Sequence, residues 1–393
     1  MQNRPLAEQP KIVIIGIRNS GKSSLMNNIF NSEISIISPH SGTTTDPVQK
    51  SFELGDIGAV SFVDTAGFDD KGDLGILRVK KTETYIDLAD IIIFVTKANT
   101  QLTLEEKELI NKYKGKNLVA VITFSDDIII DDKKNIDDTL WTIYVDNISK
   151  NGIEELKTKL ISTFRNVKYE ITPVEGLVKK NDFILLVTPI DASAPKGRLI
   201  LPQVETIRDL LDRDCGVLVV KESELEYFYN NLSIKPSLVI TDSQAFGHIT
   251  KILPKNQKLT SFSILFARKK GDLQFYIDGI KRINEVKNGD KVLILESCNH
   301  HKKEDDIGSV KIPRIFREKV AVNIEFDFAK TLPSEDILKN YKMVINCANC
   351  MISRNEVIKR IEILKNNNII STNYGIFLAW ANGILDRATE IFN

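Results

Sequence analysis

Close to the start of the chain a run of β-branched residues, Lys11–Ile15, leads straight into Gly16-Ile17-Arg18-Asn19-Ser20-Gly21-Lys22-Ser23-Ser24-Leu25. That segment fits the pattern G-x-x-x-x-G-K-[ST], and its place between a buried strand and the opening of a helix is the context the pattern requires. Glycines at 16 and 21 leave room for backbone N–H groups to wrap phosphate oxygens, with the helix N-terminus facing the negative charge. In such a loop Lys22 reaches the β- and γ-phosphates, Ser23 holds magnesium, and Gly16, Asn19, Ser20, Gly21 and Ser24 complete the cradle. A unit of this kind commits the N-terminal part of the chain to a parallel α/β sheet.

The same grammar runs to the C-terminus. Short apolar runs, at Ile91–Val95, Leu118–Ile122, Phe183–Val187, Val217–Lys221, Ser237–Thr241, Val292–Leu295, Met343–Asn346 and Ile369–Thr372, alternate with helical patterns such as Val204–Leu211 and Ser223–Asn230. The expected fold class is therefore α/β: a P-loop domain followed by two smaller α/β domains with mainly parallel sheets. At about 150 residues per domain, 393 residues leave room for two or three. We place the first at 1–168. A polar stretch, Tyr169 to Asp182, reads as a linker; the second domain spans 182–262 and the third 268–393, with the boundary between them inside Thr260–Gly271.

Composition narrows the function. Lysine plus arginine and aspartate plus glutamate both total 53, so the chain lacks the basic excess of most phosphate-backbone binders, and nucleic acid is not an expected partner. The N-terminus, Met1 to Pro10, has no apolar run and does not read as a secretory signal; the apolar runs elsewhere are far too short to span a bilayer, so no membrane partner is expected. Four cysteines in a chain this long make no disulfide framework. These features predict a cytoplasmic protein with reduced thiols. No Gly-x-Ser-x-Gly, zincin or Cys-His pattern offers a competing catalytic nucleophile.

Two further motifs extend the phosphate site. Asp64-Thr65-Ala66-Gly67 follows the apolar run Ala59–Val63; an aspartate at a strand end can hold the magnesium shell, and the glycine N–H can sense the γ-phosphate. The polar loop Gly42-Thr43-Thr44-Thr45-Asp46 lies between the motifs and can close over magnesium. With these in place, residues 10 to 165 resemble the small GTPases of the Era and MnmE type. The resemblance implies that Thr44 is the switch threonine and that Asn19 helps hold a potassium ion against the phosphates. Phe68 stands where Ras-like enzymes carry a water-positioning glutamine, so hydrolysis should be slow and cation-stimulated. The guanine motif is degenerate: Thr123-Phe124-Ser125-Asp126 retains only Asp126, whose carboxylate can accept the guanine ring N–H and amino protons, while Phe124 can pack on the base. The second base loop is blurred within Asp146–Lys150.

Near the C-terminus, Cys298-Asn299-His300 is followed after 46 residues by Cys347-Ala348-Asn349-Cys350. Both halves sit just past apolar strands, where ligand sites of parallel sheets gather, and a helix beginning near Ser353 places a favourable dipole beside thiolates. Spacing alone leaves a Cys₃His zinc site, with His300 as fourth ligand, and an iron–sulfur site both open. Cys215 reads as a small buried hydrophobe, His301 and Lys302–Asp306 as a solvated loop, and His40 and His248 have no partner motif.

A P-loop GTPase followed by Cys-x-His, a long spacer and Cys-x-x-Cys resembles the HydF family, the maturation GTPases of the iron–iron hydrogenases. Pro189-Ile190-Asp191-Ala192-Ser193-Ala194-Pro195-Lys196-Gly197-Arg198-Leu199-Ile200-Leu201-Pro202-Gln203 carries the same likeness. The resemblance spans essentially the whole chain. It implies GTP with Mg²⁺ (held by Ser23, Thr44 and Asp64), catalytic roles for Lys22, Asn19, Thr44, Asp64 and Gly67, a dimerising middle domain, and a 4Fe–4S cluster on Cys298, Cys347 and Cys350. It also implies transient carriage of a two-iron precursor, with the hydrogenase apoprotein and radical-SAM maturases as partners and a homodimer or higher homo-oligomer as the assembly. The family's His-Cys-x-x-Cys is here Asn346-Cys347-Ala348-Asn349-Cys350, so the histidine preceding the pair is missing, and His300 and Asp191 are the candidate fourth ligands. The alternative from another class is an Era- or MnmE-like GTPase acting on RNA or the ribosome, with a zinc-binding C-terminal module. A basic, aromatic-interleaved face would favour it, and residues 291–393 show no such concentration.

Overall fold

A computed structural model describes residues 9–31, 48–65, 82–124, 130–133, 136–166, 171–189, 199–297 and 306–392. The chain forms two compact units, Met1–Tyr169 and Glu170–Asn393. No helix among the described residues is long and apolar enough to cross a membrane.

In the first unit β1 (Lys11–Ile15) enters the loop 16–21 and α1 (Lys22–Asn31) leaves it. There follow β2 (Val48–Glu53), β3 (Ala59–Asp64), β4 (Ile91–Lys97), α2 (Leu104–Tyr113), β5 (Leu118–Thr123), β6 (Thr142–Val145) and α3 (Ile153–Asn166). The sheet order is β2-β3-β1-β4-β5-β6, parallel except for β2 against β3. Because β1 sits between β3 and β4, the chain leaves it on one side and returns on the other. The crevice beyond its carboxyl end is thus the switch point where α/β sheets bind ligands. The strand runs are continuous and apolar because both faces are covered: Ile12, Ile14, Ile93 and Val121 pack on one side, and Val13, Ile15, Phe94 and Ile122 on the other.

The second unit holds two four-stranded, wholly parallel sheets. The first comprises β7 (Phe183–Val187), β8 (Gly216–Val220), β9 (Leu238–Thr241) and β10 (Leu259–Ser261), in the order β10-β9-β7-β8. The second comprises β11 (Lys291–Leu295), β12 (Glu325–Ala329), β13 (Met343–Asn346) and β14 (Ile370–Asn373), in the order β12-β11-β13-β14. The predicted α/β class with mainly parallel sheets holds throughout. Leu185 and Val187 of one sheet and Ile294 and Ile345 of the other belong to a single continuous apolar core. Helix Phe262–Lys270, in the stretch where sequence set a boundary, is buried along nearly its whole length.

The linker reading also changes. Val174 is fully buried, its N–H donates to Asp209 Oδ2 at 2.8 Å, and Arg213 reaches both Asp209 Oδ1 (3.0 Å) and Thr172 Oγ1 (2.7 Å). Val174, with Leu177 and Val178 packed on the same cluster, plugs the stretch from 171 onward onto the core that holds Leu210 of helix Leu201–Asp212.

The tightest approach in this unit lies between helix Leu273–Lys281 and β14. A Cβ at Gly279 would stand 1.7 Å from the carbonyl oxygen of Ser371. Neither backbone can yield without separating helix from sheet, so Gly279→Ala should cost at least about 2 kcal/mol. Thermal denaturation should show the second unit melting several degrees lower, and an unchanged melt would contradict this packing.

Candidate functional site

The phosphate loop is built by steric necessity. Gly16 has φ +149°, and a Cβ there would meet the Val95 carbonyl at 2.3 Å, so only glycine lets the loop cross β4 so closely. Asn19 (φ 61°) also takes a left-handed backbone, which turns the loop back on itself. Lys22, 7% exposed, folds under the loop and donates Nζ–H to the carbonyls of Gly16 (3.0 Å) and Ile17 (2.7 Å). Ser23 Oγ donates to Asp64 Oδ2 at 2.9 Å, bringing together two of the predicted magnesium ligands.

Burial raises the Asp64 carboxyl above its ordinary range, opposed by the Ser23 hydrogen bond and by the charges of Lys22 and Lys50. The Ser20 hydroxyl and Asp64 Oδ1 are buried with no hydrogen-bond partner among the described residues. Buried polar atoms left open in this way fit a phosphate and a hydrated cation. Thr44, Gly67, Phe68 and Asp126 lie outside the described residues.

Sequence reading missed the side chains that tie the base side to this loop. Thr123, where the guanine motif has asparagine, directs Oγ1 to the Ser20 carbonyl at 2.7 Å and the Thr96 carbonyl at 3.1 Å. Phe124 has φ 58°, rare for an aromatic residue, and Lys97 Nζ lies 5.8 Å from its ring centre.

The blurred second loop resolves into an Asx turn. Asp146 Oδ1 accepts the N–H groups of Ser149 (2.6 Å) and Ile148 (2.8 Å), and these bonds, Ser149 foremost, hold its carboxyl below the ordinary range. Asn147 Nδ2 donates to Gly21 O at 3.3 Å, and Asn28 Nδ2 donates to Asn147 O at 2.9 Å, linking this loop to the phosphate loop and α1. A small polar residue closing an apolar strand was the only signal for Thr123, and nothing in sequence singled out Asn28.

In the second unit β11 and β13 are neighbours with β12 on the far side of β11, so a second switch point opens beyond Leu295 and Asn346. Cys347 stands there. Its N–H donates to Leu295 O at 2.9 Å, and its buried sulfur accepts the Ser297 N–H at 3.4 Å. Asn349 adopts a left-handed turn (φ 55°) that carries the chain past half-buried Cys350 to Ser353. Ser353 caps helix Arg354–Asn366, accepting Glu356 N–H, as the sequence predicts. Fully buried Lys270 holds the turn through Ile352 O at 2.8 Å. Buried Arg360, on that same helix, donates to Ser297 Oγ at 2.9 Å and to Glu356 Oε1 at 2.6 Å.

Thiol groups with backbone N–H support and a buried cation close by suit an anionic thiolate-bound centre. Asn346, 1% exposed, is instead turned toward β14, donating to Ser371 Oγ (2.9 Å) and Thr372 O (3.2 Å). Cys298, His300 and Asp191 lie outside the described residues; among the described ones no three His, Cys, Asp or Glu side chains converge. Cys215 is buried and its thiol donates to Lys179 O at 3.3 Å, with burial pushing its pKa up, in line with a structural role.

Three family models tile the chain. Residues 11–124 match a 50S ribosome-binding GTPase, 174–271 a hydrogen maturase F dimerization domain, and 274–391 a hydrogen maturase F tetramerization domain. Curated relatives include the tRNA modification GTPases MnmE of Flavobacterium johnsoniae, 32% identical over 163 residues (38% of this chain, 35% of the relative), and of Clostridioides difficile, 32% identical over 166 residues (40% and 35%). The chain thus spans about a third of the length of these relatives. Among solved structures, Era in complex with MgGDPNP and a segment of 16S ribosomal RNA aligns over 40% of this chain and 57% of that one, at 25% identity and a TM-score of 0.34. The G domain of the T. maritima FeoB iron transporter aligns over 40% and 99%, at 20% identity and a TM-score of 0.29.

Proposed function

This chain belongs to the hydrogen maturase F family, a GTPase domain followed by that family's dimerization and tetramerization domains, and from that premise we propose a GTP-hydrolysing iron–sulfur scaffold. The GTPase domain implies GTP binding and hydrolysis, and the two following domains imply a homo-oligomer. Beyond this, Cys298, Cys347 and Cys350 hold a 4Fe–4S cluster in the region 268–393, and residues 182–262 associate the subunits. The protein carries a two-iron precursor, which it receives with the help of radical-SAM maturases and delivers to the iron–iron hydrogenase apoprotein in the cytoplasm. The observation that carries this reading is the Cys347–Cys350 turn, set at the switch point of a sheet within the tetramerization-domain match. A bound cluster would supply an exchangeable iron position.

At the nucleotide site Lys22 neutralises the β- and γ-phosphates, Ser23, Thr44 and Asp64 hold magnesium, Gly67 senses the γ-phosphate and Asp126 reads the base. Asn19, in its left-handed turn, helps hold potassium, which supplies charge where the chain has Phe68 in place of a glutamine. The reading as an RNA-acting GTPase draws on likeness to MnmE, whose Flavobacterium johnsoniae member aligns with 38% of this chain.

Iron and sulfide analysis with EPR of the reduced, anaerobically reconstituted protein tests the scaffold reading. A brown protein with stoichiometric sulfide is expected; a colourless protein holding only zinc would replace the cluster with a structural metal. Hydrolysis measured in potassium and in sodium at matched ionic strength should be faster in potassium, and equal rates would remove the cation from the mechanism.

A further inference from the structure

A phosphate loop binds through the direction of its N–H groups, and that direction is set by the peptide planes that carry them. In a trans peptide the N–H points opposite to the carbonyl of the same plane, so a side chain that fixes a loop carbonyl also aims an N–H. Two consecutive planes of the loop, Ser20–Gly21 and Gly21–Lys22, are fixed in this way. Thr123 Oγ1 lies 2.7 Å from Ser20 O, and Asn147 Nδ2 donates to Gly21 O at 3.3 Å. The N–H groups of Gly21 and Lys22 are thereby turned away from the side chains that hold the carbonyls.

The two ties are not equivalent. Thr123 has one hydroxyl proton and two carbonyls within reach, Ser20 at 2.7 Å and Thr96 at 3.1 Å. Asn147 has an amino group, and its amide is itself oriented. Asn28 Nδ2 donates to Asn147 Oδ1 at 3.2 Å and to Asn147 O at 2.9 Å, so the amide oxygen is engaged and the amino end is the one that faces Gly21. The loop bearing Asn147 is held in turn by the Asx turn of Asp146 and by Asp146 N–H donating to Asn151 O at 3.0 Å. A ring results, running from Gly21 through α1 to Asn28, across to Asn147 and back to Gly21.

The fit around the glycine is close. A Cβ at Gly21 (φ +95°) would stand 2.9 Å from Asn147 Nδ2 and 3.2 Å from Thr123 Cγ2. Gly21 O already accepts the Leu25 N–H at 2.8 Å in the first turn of α1, so it needs no second donor to be satisfied. What the second donor adds is direction. We propose that Asn147, oriented by Asn28, is a positioning residue for nucleotide binding: it holds the Gly21–Lys22 peptide plane so that the Lys22 N–H faces the phosphates before the nucleotide arrives. This rests on the loop 16–22 being the phosphate site.

The test is titration and stopped-flow dissociation of fluorescent GDP and of a fluorescent non-hydrolysable GTP analogue on the full-length protein. Asn147→Asp keeps the size of the side chain and the oxygen that Asn28 meets, but sets an oxygen against the Gly21 carbonyl. Affinity for both nucleotides should fall about tenfold through faster dissociation, with the loss in hydrolysis carried by KM rather than kcat. In competition the ratio of GTP to ATP affinity should stay as in the wild type, because the bond acts on the phosphate loop and not on the base. Asn28→Ala leaves the donor in place but frees the amide to turn; it should weaken both nucleotides about threefold, and it serves where Asn147→Asp does not fold.

A lowered melting temperature with unchanged affinities would overturn the proposal and leave a purely structural contact. A fall in the GTP to ATP ratio would overturn it in favour of base recognition by Asn147. Lys22→Ala measured in parallel separates the two claims. Wild-type affinity in Lys22→Ala would overturn the phosphate site itself, whereas weak binding there with intact binding in both asparagine variants would overturn the tie alone.

Discussion

Lys22→Ala should abolish GTP hydrolysis, with a loss of at least about 10³-fold in turnover. In the described structure the ammonium is held within the loop by the carbonyls of Gly16 and Ile17, so it stands 7% exposed at the centre of the phosphate cradle. Alanine leaves both carbonyls facing the incoming phosphates. The nucleotide would then meet two partial negative charges where one full positive charge belongs, which weakens binding as well as the chemical step. Single-turnover assays at saturating GTP separate the two losses. Wild-type turnover in the variant would sink the assignment of this loop. Iron and sulfide content should be unaffected, since Lys22 and Cys347 belong to separate compact units.

The parts of the fold that sequence revealed, and the parts it hid, divide along a physical line. Strands with continuous apolar runs, such as Phe183–Val187 and Met343–Asn346, were legible because both of their faces are covered. The strands not foreseen, Val48–Glu53, Thr142–Val145, Leu259–Ser261 and Glu325–Ala329, are all sheet edges. An edge strand needs only one covered flank, so Glu325–Ala329 mixes charged and aromatic residues and keeps Phe328 42% exposed. The plug at Val174 was hidden for a different reason: Val174, Leu177 and Val178, set among proline, glycine and charged residues, make too short a run to establish a period. The phosphate loop was legible because its glycines answer a steric demand that can be read locally, as Gly16 against Val95 shows. The ties from Thr123 to Ser20 and from Asn147 to Gly21 join residues far apart in sequence, and no local pattern records them.

Replacing Cys347 or Cys350 by serine should cost the protein most of its iron and sulfide, and the same should hold for Cys298, whereas His300→Ala should keep most of both. Thiolate is a far better donor to cluster iron than hydroxyl, imidazole or carboxylate, so each lost sulfur removes a ligand that nothing else present replaces. Asn346, which stands where the family has histidine, gives no substitute: its amide is committed to Ser371 and Thr372 of the neighbouring strand and is buried to 1%. On the proposed ligand set the protein would offer three sulfurs, and the fourth position would fall to a weak donor, with His300 and Asp191 as candidates. A weak fourth donor exchanges. Imidazole or cyanide added to the reduced wild type should alter its EPR spectrum, and neither should alter the iron content. Serine at 347 also removes the sulfur that accepts the Ser297 N–H, so the loss there should be at least as complete as at Cys350, whose side chain is less buried. Two results together would overturn this: loss of the iron in His300→Ala, and a wild-type spectrum indifferent to added ligands. They would show a site closed by histidine, and a closed site offers no iron position through which a two-iron precursor could be attached and released.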